Sequence, residues 1–190
     1  MIEKLYIGLV HYPVYNKNHE IVTTAITNLD IHDIARSCKT YGVVNFFIIN
    51  PLESQREIFM SLKKFWESDV AKKYNFDRFN AFEEVSFVYD IESAKKEIEK
   101  ECNQPLVVIS TSAKSFPGAL GFQEIQPILT KSFPKLILVG TGYELAERVI
   151  TKSNFHLEPV RGVGEYNHLS VRNAVAVILD RLVNGFYHAE

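Results

Sequence analysis

Three short stretches hold the groups best placed to do chemistry. Leu136-Ile137-Leu138-Val139-Gly140-Thr141-Gly142 ends an apolar run on a glycine pair, and Leu157-Glu158-Pro159-Val160-Arg161-Gly162 ends another on a charged bend. Ser110-Thr111-Ser112-Ala113 closes a third run with hydroxyls. Each bend follows a strand-like segment, so backbone donors and acceptors gather at the carboxyl ends of neighbouring strands. Open α/β sheets take their ligands there. The chemistry expected is recognition of a small molecule through main-chain contacts, with glycines permitting close approach.

Other chemistries are excluded by spacing. A dinucleotide fingerprint beginning at Gly140 needs a third glycine where this chain has Leu145, and the segment does not open a βαβ unit. His11, His19 and His156 show no metal-ligand spacing, so no metal site is expected. No nucleophile elbow surrounds Ser110 or Ser112, and there is no Walker loop. Hydrolase and NTPase readings are therefore weak.

The elements that must position these bends are legible as alternating patterns. Six β-branched or aromatic runs read as buried strands: 5–10, 43–49, 85–89, 106–110, 136–139 and 155–157. Helical spacing covers 31–41, 54–67, 91–102, 122–132, 143–150 and 168–186. Alternation of this kind predicts a mostly parallel six-stranded sheet with helices on both faces. The polar and aromatic stretch 68–84 is expected to be an ordered surface excursion.

Two helices carry more information. In the first, Ile31, Ile34, Ala35, Cys38 and Tyr41 form one buried face, with Asp30 as expected cap and Gly42 as terminator. Its other side carries a basic stripe of His32, Arg36 and Lys39. The last helix has Val175, Ile178, Leu182 and Phe186 on one side, while Leu169, Ala174, Val177 and Val183 leave much of the rest apolar. A helix apolar around most of its girth is buried on several sides, which points to core packing plus a subunit interface.

Composition bounds the reading. The 190 residues suit one domain, residues 1–190, and a formal charge of −2 argues against a generally basic nucleic-acid binder while leaving room for a local basic face. Cys38 and Cys102 form no CxxC pair, so a disulfide framework is not expected. The opening residues lack a signal-peptide pattern and no run is long enough to span a bilayer, so a cytoplasmic protein with no membrane partner is expected.

Over nearly its whole length the chain resembles the SPOUT superfamily of S-adenosylmethionine-dependent RNA methyltransferases. Asn28, Arg36 and Gly42, following Val10-His11-Tyr12-Pro13-Val14-Tyr15, are similar to the first family motif. Thr111-Ser112-Ala113 and Gly140-Thr141-Gly142-Tyr143-Glu144-Leu145 are similar to the second. The bend 157–162, followed by Tyr166-Asn167-His168-Leu169-Ser170-Val171-Arg172, is similar to the third and is the most specific string.

The resemblance implies an α/β fold with a deep C-terminal trefoil knot, a homodimer formed through the last helix, S-adenosylmethionine as methyl donor and an RNA substrate. It implies that Thr111, Ser112, Ala113, Gly140, Thr141, Gly142, Leu157, Val160, Gly162, His168 and Leu169 bind the cofactor, with Leu157, Val160 and Leu169 around the adenine. It also implies Arg36 and Asn28 as catalytic residues, Arg36 acting by orientation and electrostatics because an arginine stays charged. His32, Lys39, Lys114, Arg161 and Arg172 are then candidates for RNA phosphates. Glu144 stands where relatives usually carry glycine, and Ser170 where the ribose-methylating branch commonly has asparagine. A nucleotide-holding dimer that transfers nothing, and a methyltransferase for a non-RNA substrate, are the competing readings.

Overall fold

The computed structural model describes residues 2–164 and 166–184. In chain order the elements are β1 (Leu5–Val10), β2 (Val14–Tyr15), β3 (Ile21–Val22), α1 (Asn28–Thr40), β4 (Asn45–Ile49), α2 (Glu53–Trp66), α3 (Asp69–Tyr74), α4 (Phe76–Phe82) and β5 (Val85–Val88). There follow α5 (Ile91–Cys102), β6 (Val107–Ser110), α6 (Phe122–Leu129), β7 (Lys135–Gly140), β8 (Glu144–Leu145), α7 (Glu147–Thr151), β9 (Phe155–His156) and α8 (Val171–Asn184).

Six strands pair in the order β5-β4-β1-β7-β6-β9, and every pairing is parallel. Parallel strands covered on both faces read as continuous apolar runs, which is why the main strands stood out in the sequence. Alternate residues feed two cores. Leu5, Ile7, Leu9, Ile137 and Val139 face α1 and α8, whose Ile31, Ile34, Val175, Ile178 and Leu179 are buried with them. Tyr6, Val10, Phe47, Ile49 and Leu138 face the other way, toward Ala94 and Ile98 of α5 and Val149 and Ile150 of α7. From β1 the chain builds β4 and β5 on one side, then crosses to lay β7, β6 and β9 on the other. The order therefore reverses between β1 and β7, a switch point at whose carboxyl end ligands bind.

Three expectations need correcting. The helix expected at 143–150 is instead β8 plus the five-residue α7. The β8 residues are captured by an antiparallel sheet, in which Tyr15 pairs with Glu144 and Val14 with Leu145. Second, Thr27 rather than Asp30 caps α1. Its hydroxyl accepts the Asp30 N–H at 3.1 Å and donates to Asp30 Oδ2 at 2.6 Å, so Asp30 answers the cap from the third helical position. Third, α8 begins at Val171, not His168. The Ser170 carbonyl accepts the Ala174 N–H at 2.9 Å. Phe186 lies outside the described residues.

The stretch 68–84 forms α3 and α4, and α4 packs on α1. Ser68 and Asn75 cap these short helices by accepting the N–H groups of Ala71 and Arg78.

Candidate active site

A cavity of about 950 Å³ opens at the switch point. Three loops wall it, each issuing from the carboxyl end of a strand: Thr111–Lys114 after β6, Gly140–Glu144 on and after β7, and Tyr15–Ala25 after β1. The segment 158–172 closes it with Glu158, Val160, His168, Leu169 and Arg172. The volume sits within the range of small-molecule and cofactor sites.

The wall built from residues 11–25 was not foreseen. Its strands are two residues long, too short for any hydropathy period to register. It is held onto the glycine loop by main-chain bonds from Tyr143 N–H to the Tyr15 carbonyl (3.0 Å) and from Ala146 N–H to the Pro13 carbonyl (3.1 Å). Gly142 sits at φ +67°, and a Cβ there would stand 2.9 Å from the Tyr15 oxygen. Only glycine permits that approach.

Behind this wall runs a chain of side-chain hydrogen bonds. Thr141 Oγ1 donates to the Val10 carbonyl at 3.0 Å. The Thr24 hydroxyl, 2.5 Å away, must then donate to Thr141 Oγ1, and so accepts from His11 Nδ1 at 2.8 Å. This order fixes the His11 tautomer with its proton on Nδ1. Nε2 is left as a buried acceptor with no partner among the described residues. Burial holds the His11 imidazole down to about 4, with Asp30 opposing the shift.

Three carboxylates, Asp30, Glu144 and Glu158, line the cavity beside three cations, Lys17, Lys114 and Arg172, of which the last two are paired with acids. The Glu144 side chain is 9% exposed and accepts from Ser112 Oγ at 2.8 Å and Lys114 Nζ at 2.9 Å. Arg172 contacts Asp30 at 3.1 Å and Asp33 at 3.4 Å.

The expected cofactor residues divide. Thr111, Ser112, Ala113, Gly140, Thr141, Gly142, Val160, His168 and Leu169 all line the cavity. Leu157 does not. Its N–H bonds to Ser110 O at 2.9 Å and its side chain is buried in the core, so it supports the wall from behind. Gly162 is exposed beyond the lining. Fit to an adenosylated sulfonium can be judged from the lining chemistry. Val139, Val160, Leu169 and Ile178 give apolar surface, Thr111 and Ser112 give hydroxyls, and Glu158 gives a carboxylate suited to a cationic ligand, while Asp30 and Glu144 are already paired with Arg172 and Lys114. The residues fit that group.

The expected catalytic and RNA-facing residues divide more sharply. Asn28 and Arg36 are exposed on α1 and do not line the cavity of their own protomer. His32 is a correction. Rather than joining a basic surface it is buried, its ring 4.9 Å from those of both Trp66 and Phe82. Desolvation and the neighbouring guanidinium of Arg78 lower its basicity, so it stays a neutral aromatic spacer. Lys39 pairs with Glu84 at 2.7 Å, and Arg161 donates to Ser115 Oγ at 2.7 Å. Lys114 and Arg172 reach the cavity only as partners of acids. Among the described residues no group of three or more His, Cys, Asp or Glu side chains is arranged to hold a metal. No described helix is long and apolar enough to cross a membrane.

The fold is that of the TrmH/SpoU methyltransferases. The TrmH/SpoU tRNA modifying enzyme of A. aeolicus superposes with a TM-score of 0.59 at 11% identity, over 95% of this chain and 74% of that one. The SpoU methyltransferase AviRb of Streptomyces viridochromogenes, in complex with AdoMet, gives 0.60 at 14% identity, over 98% and 58%. Residues 4–184 match the model of a family described as SAM-dependent RNA methyltransferase, and the chain belongs to that family.

Sequence relatives agree. An uncharacterized protein of Aquifex aeolicus (strain VF5) is 34% identical over 95% of this chain and 88% of its own length. A tRNA (guanine-N(1)-)-methyltransferase of Oleidesulfovibrio alaskensis is 40% identical over 94% of this chain, and one of Nitratidesulfovibrio vulgaris is 39% identical over 96%. The chain spans only 42% and 43% of the length of those two proteins.

Proposed function

We propose that this protein transfers a methyl group from S-adenosylmethionine to RNA, at a base or a ribose of tRNA or rRNA. The observation that carries the reading is the 950 Å³ cavity, in which three strand-end loops converge at the switch point of a fold and family that use this cofactor. The bound cofactor supplies an electrophilic methyl group; the protein's own work is to hold and align the two reactants. Gly140, Thr141 and Gly142 bring main chain to one side of the cavity, and Val160 and Leu169 form its apolar slot. The carboxylate of Glu158 favours a cationic ligand.

The protein works as one α/β-knot domain in a cytoplasmic homodimer. Half-buried Ala174 and Val177 on one flank of the buried stripe of α8, and Ala176 and Val183 on the other, leave apolar surface for a second copy, and α8 lies along α1. A copy docked there also meets the exposed side of α1 that carries Asn28 and Arg36, which supplies the acceptor side with a fixed positive charge. Threading of the segment 158–170 into a trefoil knot is supported by its ties to the loop after β6. These are Asn167 Nδ2 to Ala113 O (3.2 Å) and Arg161 to Ser115 Oγ. Lys39, Lys114, Arg161 and Arg172 contribute to RNA binding by exchanging their present partners for phosphates.

Incubation with methyl-labelled cofactor and total RNA tests the reading, and label in RNA is the expected result. The pairing of Lys114 and Arg172 with acids favours one competitor, a dimer that holds the nucleotide without transferring it. That protein would bind S-adenosylhomocysteine and label nothing.

A further inference from the structure

One ion pair joins two lips of the main cavity. Glu144, on β8 beyond the glycine loop, meets Lys114 of the loop after β6 at 2.9 Å, and both line the cavity. The carboxylate is fixed from two directions before any ligand arrives. Its backbone is held by pairing with Tyr15, and Ser112 Oγ donates to Oε1 at 2.8 Å. Ser112 Oγ in turn accepts the Lys114 N–H at 2.9 Å, which leaves its own proton for Glu144.

What the pair has left to offer is a matched set. Glu144 spends one lone pair on Ser112 and one on Lys114, so each oxygen keeps another. Lys114 Nζ spends one of its three protons on Glu144, its one side-chain partner among the described residues. Acceptors and donors therefore stand side by side on a unit whose charges cancel. A phosphate approaching Nζ meets the carboxylate beside it, and a lone ammonium approaching Glu144 meets Nζ. A ligand that carries both charges on neighbouring atoms escapes either repulsion. The other ion pair of the lining is not balanced in this way. Arg172 faces two acids, Asp30 and Asp33, and Asp30 also accepts from the Thr27 hydroxyl that caps α1.

We propose that Glu144 and Lys114 seat the amino-acid end of the cofactor, with its α-ammonium on Glu144 and its α-carboxylate on Lys114. The proposal rests on the methyltransferase reading above and gives one part of that ligand to named residues of this chain. The two charged groups of an amino acid are borne on one carbon, so both can meet a pair of this spacing without parting it. The apolar slot of Val160 and Leu169 lies in the same cavity and takes the adenine end. With both ends held, the sulfur between them has little freedom, which is what transfer to an aligned acceptor requires.

Calorimetry tests this with S-adenosylhomocysteine, its decarboxylated and deaminated analogues, and 5′-methylthioadenosine, which lacks the amino-acid end. In wild type, removal of either charge is expected to weaken binding about ten-fold, and removal of the whole end at least as much. Glu144→Gln should lose the response to deamination and keep that to decarboxylation, and Lys114→Met should do the reverse. Both variants are expected to bind 5′-methylthioadenosine within about two-fold of wild type, which shows that the adenosine side is intact. Equal wild-type affinity for S-adenosylhomocysteine and 5′-methylthioadenosine would overturn the proposal and leave the methyltransferase reading standing. So would variants that bind S-adenosylhomocysteine as wild type does, the result of a lysine kept for phosphates alone, or variants that lose both ligands alike. Failure of all four ligands to bind wild type would strike the methyltransferase reading itself, and this assignment with it.

Discussion

His11 anchors the wall of the cavity in an acid-sensitive way, because its neutral form is the one the fold requires. Its ordinary value of about 6.5 is lowered to about 4 by burial. Since the unfolded chain binds the proton more readily, the contribution is intact above about pH 6.5 and is lost as pH falls through 4. The shift corresponds to about 3 kcal/mol. His32, lowered in the same direction by burial, adds to the same acid limb. Urea unfolding of wild type and His11→Gln between pH 7.5 and 4 checks this. The variant is expected to be about 1 kcal/mol less stable at neutral pH, from the lost hydrogen bond to Thr24, and to lose less stability on acidification. Parallel pH curves would contradict the assignment.

Arg36 makes the complementary case at the same scale, since nothing within its own protomer's cavity depends on it. Arg36→Ala is expected to lower methyl incorporation into RNA by at least about 100-fold, the scale of a lost transition-state donor. Affinity for S-adenosylhomocysteine should stay within about three-fold, because less than 1 kcal/mol of cofactor binding is at stake. Equal loss of both would make Arg36 a structural residue.

At the scale of elements, the sheet was legible because parallel strands must be apolar on both faces. The runs 5–10, 106–110 and 136–139 match β1, β6 and β7 to within a residue or so at each end. What could not be read were features decided by partners distant in sequence. The helical spacing over 143–150 is real, yet Glu144 and Leu145 pair with Tyr15 and Val14, about 130 positions away along the chain. His32 sits at the correct helical angle for a solvated stripe, but Trp66 and Phe82 cover that angle. The cavity's third wall, residues 15–25, carries no period at all, whereas the other loops announced themselves through glycines after apolar runs. Gly142 is where the legible and illegible parts meet. Gly142→Ala places a Cβ in the left-handed region and against the Tyr15 oxygen, and is expected to cost about 2 kcal/mol or more. Thermal unfolding measures that loss, and calorimetry should show weaker cofactor-product binding alongside it. A stable variant with unchanged affinity would separate the hairpin from the site.

For the whole molecule, the sheet order, the open side of α8 and the position of Arg36 bear on one another. The cavity at the β1–β7 switch point lies within one protomer, whereas Arg36, proposed for the acceptor side, stands outside it on α1. In the proposed dimer a second copy seated against α8 brings α1 to the cavity mouth. Val177→Glu, a charge placed on this half-buried side, is therefore expected to convert a dimer to a monomer in sedimentation. The monomer should still bind S-adenosylhomocysteine, with a thermal shift within a few degrees of wild type at saturating ligand, while methyl incorporation is lost. A monomeric variant that still methylates RNA would show that one protomer holds the whole reaction. That result would return Arg36 to the ordinary surface of α1.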